Sequence, residues 1–338
     1  MPSTFSGPPP GHLTRGALRV DDEQFDIADV VLLALAEGRW QRLAVSLGRG
    51  LALEREHGRD VARERVAQQV TRFRYERRLI AGKDFREWLA ARGLVLADVH
   101  RHCLRGMLIA EHGPDGNRVT PDPRDVHTEA LVSGLTGETA ARLGDLAAMA
   151  AAVDPVAGPP VQELVAEAAA AGLEGDDLTY RASRVLRLLA AERAFVAHTA
   201  TPDAVARSIA THGVDWLRVE CSELLFPSEG AAHEALLCVR ADGMSPASLA
   251  GWLAVGLRRS AQFVGDVGGA RAGVLASVPI GEPVGPLAGE EGWRVLVVDR
   301  RVTPAREDPE LARRATAEVV RTAVDRLRAG RVHELAAL

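Results

Sequence analysis

Three groups of residues in this chain are of types that could do chemistry. Cys221, Cys238 and His233 offer nitrogen and sulfur ligands, and with one water such a set would suit a zinc ion acting on a thiol or a peptide. Their spacing fits no ligand motif. Cys221 alternates with apolar residues and Cys238 lies on the apolar side of its predicted helix, so buried small hydrophobes are the favoured reading and no metal is expected. "VHRHC" (99–103) gathers His100, His102 and Cys103. On a helix the two histidines point about 200° apart and cannot share an ion, which leaves partly exposed helix histidines. "RFRYERR" (72–78) interleaves Arg72, Arg74, Arg77 and Arg78 with Phe73 and Tyr75, a pattern that can stack on RNA bases. Glu64, Glu76 and the acidic total favour a solvated helix face, and an acidic leader peptide suits the stretch as well as a nucleic acid does.

No phosphate-cradling glycine loop, serine elbow or paired-carboxylate motif stands out. "GRGLALE" after Leu47 lacks the strand that a dinucleotide fingerprint needs.

The elements that must position these residues are mostly helical. Residues 1 to 22 are rich in Pro, Gly and Ser and read as a mobile tail. From Phe25 to His57 apolar residues recur at helical spacing, with breaks expected at Gly38 and at Gly48 to Gly50. A helix is predicted over 60–80, and another over "DFREWLAARG" with Gly93 as its C-cap. Gly93-Leu94 followed by Asp98-Val99 is echoed by Gly172-Leu173 followed by Asp177-Leu178, each pair leading into a helix. This is either an internal repeat or shared helix-loop-helix chemistry. "HGPDGNRVTPDPRD" (112–125) reads as a linker and "VDPVAGPP" (153–160) as a second break.

Composition changes near Gly213. "DWLRVECSELLFP" alternates Leu217, Val219 and Cys221 with Arg218, Glu220 and Ser222, a strand with one solvated face. Two helices follow, the first capped by Ser228, the second by Ser245 with Pro246 at its first position. Next come a glycine-rich bend, turn residues, a strand from Trp293 to Val298 and a final amphipathic helix over 308–328. The apolar side of that last helix needs a partner, and the N-terminal module is the expected one.

The 338 residues suffice for two or three domains, and 47 % hydrophobic content with a mean hydropathy of −0.02 describes a globular chain. A net charge of −5 supplies no general field for nucleic acid. Lys83 is the only lysine. Arginine-rich usage allows many bidentate carboxylate contacts, but a GC-rich coding bias is the favoured reading. Three cysteines without close spacing make no disulfide framework and fit a reducing compartment. No secretory pattern and no bilayer-length apolar run is visible, so a cytoplasmic location is expected, with no membrane partner.

The order of elements from about 210 to 330, with "IGEPVGPLAGEEGWRVLVVDRRVTP" and "SELLF" as its most specific pieces, resembles the parvulin-type (PpiC/SurA-type) prolyl isomerase domain. Family members usually carry "GEISGPV…GWHIIKV…R…P" and "SHILV" there. Related chaperones set such a domain between a helical module and a C-terminal helix. In size and in lacking a visible signal, the chain looks most like the cytoplasmic peptide-maturation relatives, linked with ribosomally made, modified peptides. The resemblance implies an α+β fold with a tail (1–22), a helical module (23–112), a linker (113–127), a second helical segment (128–208), a degenerate parvulin-like domain (209–304) and a C-terminal helix (305–338).

The departures bear on activity. Where the family places two strand histidines, this chain has Glu223 and Arg294. Such a pair could meet across the sheet as a half-exposed salt bridge worth about 1 kcal/mol. It cannot supply the imidazole network. The family's "GGDLG" is degraded to "GGARAG" (268–273), and few aromatics are available for a proline pocket. The reading is therefore a chaperone-like maturation protein that holds a precursor or unfolded peptide for modifying enzymes, its isomerase activity lost. Peptide contacts are assigned to Leu225, Trp252, Phe263 and Trp293, in a cleft near Glu223, Trp293 and Arg294, and no cofactor is expected. The alternative is a peptide-modifying enzyme, such as a lanthipeptide-type cyclase, with Glu223 as base, Arg294 as anchor and Cys221 assisting. An active prolyl isomerase and a general holdase are the further alternatives.

Overall fold

A computed structural model describes residues 12–154, 156–267, 270–289, 292–305 and 307–336. In chain order its elements are β1 (Gly16–Val20), β2 (Glu23–Asp26), α1 (Ile27–Ala36), α2 (Arg39–His57), α3 (Arg63–Glu76), α4 (Gly82–Arg92), α5 (Leu96–His112), α6 (Pro123–Ser133), α7 (Leu135–Ala150), α8 (Gln162–Ala170) and α9 (Leu178–Thr199). They continue with α10 (Pro202–Thr211), β3 (Arg218–Phe226), α11 (Glu229–Ala241), α12 (Pro246–Leu253), β4 (Leu257–Phe263), α13 (Ala270–Ser277), β5 (Pro283–Gly289), β6 (Gly292–Val302), α14 (Pro309–Arg328) and β7 (Val332–Glu334). The fold is α+β. Two compact units can be told apart, one of residues 1–198 with 322–338 and one of residues 199–321.

The helical unit is organised on α1. Its run Ile27–Leu35 is apolar on nearly every side, the pattern of a helix sunk in a core, and all of it but Ala28 is buried. A capping box fixes its start: Asp29 N–H donates to Asp26 and Asp26 N–H donates to Asp29. Gly38, in the left-handed region, makes the expected break before α2. The break expected at Gly48 to Gly50 does not occur, and α2 runs through. Those glycines serve close approach instead: Val119 N–H donates to the Gly48 carbonyl at 3.0 Å, and a Cβ at Gly50 would lie 2.9 Å from the Arg105 side chain.

The N-terminal segment differs from the expected tail. Residues 1–11 lie outside the described residues, but Gly16–Val20 form β1, the middle strand of an antiparallel sheet ordered β2-β1-β7. Burial of Ala17, Leu18 and Val20 outweighs the composition of the segment. The two Gly-Leu echoes have one geometry. Leu94 N–H reaches the Leu89 carbonyl and Leu173 N–H the Ala168 carbonyl, each past a positive-φ glycine, and both leucines are buried. That is the Schellman helix ending, which explains the likeness through capping chemistry.

The second unit holds an antiparallel sheet ordered β4-β3-β6-β5. On one face Leu224, Phe226, Val295 and Val297 pack against Ala235, Leu236 and Val239 of α11 and Leu249 of α12. On the other, Val219, Cys221, Leu296 and Val298 pack with Val264 and Leu275, the latter from α13. Helices thus cover both faces, and β3 lacks the solvated face its alternation suggests: Ser222 is buried and Arg218 and Glu220 are half-buried. Ser228 and Ser245 cap α11 and α12 by accepting from Ala231 and Ser248 N–H. Helix α14 does not rest on the helical module alone. In the α+β unit Arg314 grips Asp266 with two 2.7 Å hydrogen bonds and lies 4.1 Å over the Phe263 ring, whereas Arg328, in the helical unit, pairs with Asp145 at 2.6 Å.

Candidate functional site

The strand register decides which candidate residues meet. Leu225 of β3 lies opposite Arg294 of β6, and Glu223 lies opposite Leu296 of β6 and Arg258 of β4. Directly opposed residues share a face, so Cys221, Glu223, Leu225 and Arg294 all point to the α13 side. Glu223 is only 7 % exposed. Its Oε2 lies 3.7 Å from the Arg294 guanidinium, so the pair expected across the sheet is present. A third member completes it, since Arg271 of α13 donates a hydrogen bond to the Glu223 Oε1. Room for Arg294 comes from β5, where a Cβ at Gly289 would lie 3.0 Å from its Nε.

Arg271 is the member of this cluster to which the strand motifs do not point. It sits in "GGARAG", visible there as loss of a glycine motif and not as gain of a cation; Gly268 and Gly269 of that stretch lie outside the described residues. Both carboxylate oxygens of Glu223 therefore face guanidinium groups, Oε1 through the hydrogen bond from Arg271 and Oε2 across the longer ion-pair contact with Arg294. Cys221 is buried beside it. Burial, then the Glu223 and Asp299 carboxylates, push its thiol up to about 11, so at neutral pH it is an uncharged thiol. Its neighbour Ser222 donates to Asp299 at 2.7 Å.

The four residues assigned to peptide contact do not gather in one place. Leu225 is 37 % exposed at the Arg294 end of the α13 face. Trp293 lies opposite Phe226 on the other face and packs against the α11 and α12 core. Trp252 stands 68 % exposed on α12, and Phe263 is 3 % exposed beneath Arg314. Cys238 packs against the same core as Trp293, whereas His233 is exposed on α11. Among the described residues no three His, Cys, Asp or Glu side chains converge as metal ligands.

The helical unit brings two of the sequence motifs together. A groove of about 600 Å³ between α3 and α5 is lined by Arg72, Phe73 and Arg77 of "RFRYERR" and by His102 and Cys103 of "VHRHC". Most of these groups are engaged. Arg74 donates to the carbonyls of Leu79 and Ile80, while Arg77 lies 3.8 Å over the Phe73 ring and donates to the carbonyls of Val132 and Ser133 at the end of α6. His102 contacts Glu129 at 2.6 Å, and burial pushes the Cys103 thiol up to about 11. His100 is exposed and apart from them. The arginines here mainly close helix ends.

Comparison with known proteins gives little. No family model and no curated protein matches the chain. Among solved structures, one match comes from work on PEB4 and Cj1289, two SurA-like chaperones of Campylobacter jejuni. It is 9 % identical, covers 96 % of this chain and 100 % of that one, and has a TM-score of 0.20, which is too low to carry an argument. No helix of the described residues is long and apolar enough to cross a membrane.

Proposed function

We propose that this chain binds unfolded or precursor peptides in a chaperone-like manner, through the α+β unit, and changes no bond in them. The observation that carries the reading is the state of Glu223, whose two oxygens face Arg271 and Arg294 beside a thiol held uncharged. A general base needs a carboxylate oxygen within reach of a substrate proton, and a thiol nucleophile needs its thiolate. Neither is on offer at this face. The same unit exposes Trp252, Leu253, Leu237 and Leu225, apolar side chains of the kind that take up unfolded chain. Three free thiols suit a reducing compartment, where a maturation partner would hand peptides to modifying enzymes.

The test is a proline tetrapeptide isomerase assay run beside mass spectrometry of a precursor peptide incubated with the protein, with affinity for that peptide and for a reduced, unfolded protein measured in parallel. The expected result is binding with no isomerase rate above background and no mass change. Isomerase turnover would overturn the reading. A mass shift lost in Glu223→Gln would instead make Glu223 the base of a modifying enzyme.

A further inference from the structure

The two rims of the four-stranded sheet are built differently. β5 reads PVGPLAG: Pro283 and Pro286 have no N–H to offer, and its register breaks between Val284 and Leu287. β4 reads LRRSAQF, without proline or glycine, and pairs with β3 in unbroken register from Leu224↔Leu257 to Arg218↔Phe263. Among the described residues no strand lies on its other side, so alternate residues of β4 turn N–H and C=O groups away from the sheet.

The side chains of β4 are as unspent as its backbone. Arg258 and Arg259 are exposed, and among the described residues neither makes a hydrogen bond, ion pair or ring contact. Four other arginines of this unit are occupied, Arg271 and Arg294 by Glu223, Arg301 by the Leu275 and Val278 carbonyls and Arg314 by Asp266, whereas Arg218 and Arg300 on the inner strands have no such contact either. Ser260 Oγ and Gln262 Nε2 are buried without partners on the same strand. Arg258 shares the face of Glu223 and Arg259 that of Ser222, so the two guanidiniums flank the rim on opposite sides of the sheet.

We propose that the free rim of β4 takes up an extended acidic peptide segment as a fifth strand, a site that rests on the peptide-binding reading and gives it a partner. Backbone pairing supplies affinity for any extended chain. Selectivity comes from the arginines. Adjacent residues of an added strand point to opposite faces, so two consecutive acidic residues meet Arg258 and Arg259 together. A second copy of this chain is a poor occupant, because pairing two β4 rims would bring four unpaired guanidiniums onto one short ladder.

The experiment uses the full chain and a short fluorescein-labelled peptide of alternating threonine and valine with a central Glu-Glu pair, read by anisotropy against its Lys-Lys counterpart. The expected result is preference for Glu-Glu, at least a tenfold loss of affinity in the exposed-site variant R258E/R259E with unchanged circular dichroism, and a switch of that variant to Lys-Lys. N-methylating alternate residues of the peptide should abolish binding in one parity and be tolerated in the other, since one edge of the added strand faces β4. Glu-Glu binding indifferent to R258E/R259E and to both methylation sets would overturn the β4 site and leave peptide binding elsewhere intact. If the Glu-Glu peptide does not bind while the unfolded protein does, the rim proposal fails alone; if neither binds, both readings fail. Concentration-dependent dimerisation abolished by R258E/R259E would give the rim to a second copy and overturn the proposal.

Discussion

Replacing Arg271 and Arg294 together by methionine would strip the Glu223 carboxylate, 7 % exposed, of both guanidiniums. Methionine keeps much of the arginine stem's cover over the sheet and removes its charge. A buried ion left without its partners costs about 3–5 kcal/mol. The lower end applies here, because the side chains of Arg271 and Arg294 are 31 % and 21 % exposed and water reaches the far side of the group. Hydrogen–deuterium exchange of β3 amides is the assay, and about 3 kcal/mol corresponds to exchange more than about a hundredfold faster. Adding Glu223→Leu should restore protection to within about tenfold of the wild type, since an apolar replacement of a buried charge cluster is often neutral or better. Two results would refute this. A double variant exchanging at the wild-type rate would mean that Glu223 is not desolvated, and a triple variant as labile as the double would mean that the arginines act through packing and not through charge.

Other outcomes follow from single positions. Burial holds the His127 imidazole at about 4, against an ordinary 6.5 in the unfolded chain. Stability from the neutral ring is therefore intact above pH 6.5 and lost as pH falls from there toward 4, by up to about 3 kcal/mol; urea midpoints at pH 7 and pH 5 should differ accordingly and converge in His127→Phe. Gly292 has φ +122° and a Cβ there would meet the Phe226 carbonyl at 2.5 Å, so Gly292→Ala should cost about 2 kcal/mol or more and expose β6 amides to exchange. Trp252→Ala, at a 68 % exposed site, should change stability by less than about 0.5 kcal/mol while weakening binding of an unfolded protein severalfold by anisotropy. Trp293→Ala should do the reverse, losing about 2 kcal/mol of stability in urea titration through its packing on α11 and α12.

What the sequence made legible was local. Ser228, Ser245, Pro246 and Gly93 act within one helical turn, and each caps or ends the helix expected of it. Gly48 and Gly50 misled because their reason lies across space, in the Val119 carbonyl and the Arg105 side chain. Strand β1 was hidden for a related cause. Its neighbours are β2, only a turn away, and β7 at the far end of the chain, and its pairing with β7 outweighs the composition of a short N-terminal segment. In the site, Glu223 and Arg294 could be aligned from the strand motifs, but Arg271 reaches Glu223 from 48 residues away, in a stretch that reads in sequence only as a degraded glycine motif. Arginine roles were the least legible, because a guanidinium that closes a helix end, as Arg77 does 55 residues from Val132, looks in sequence like any solvated cation.

The charged cluster at Glu223 also raises the question of why a core face keeps ions where apolar residues would serve stability as well or better. Its members come from three elements: β3 supplies the carboxylate, β6 one guanidinium and α13 the other. Apolar contacts between α13 and the sheet, through Leu275 against Val298 and its neighbours, would tolerate a helix rotated or slid along its axis. A hydrogen bond from Arg271 to one particular carboxylate oxygen does not tolerate that, because its strength falls steeply with angle and distance. The cluster is then a registration device for α13. Arg301, which donates to the Leu275 and Val278 carbonyls, fixes the other end of the same helix. With α13 pinned at both ends over one face, and α11 and α12 filling the other, the rim of β4 is left without a neighbouring strand among the described residues. There β4 keeps its backbone groups and two arginines unspent.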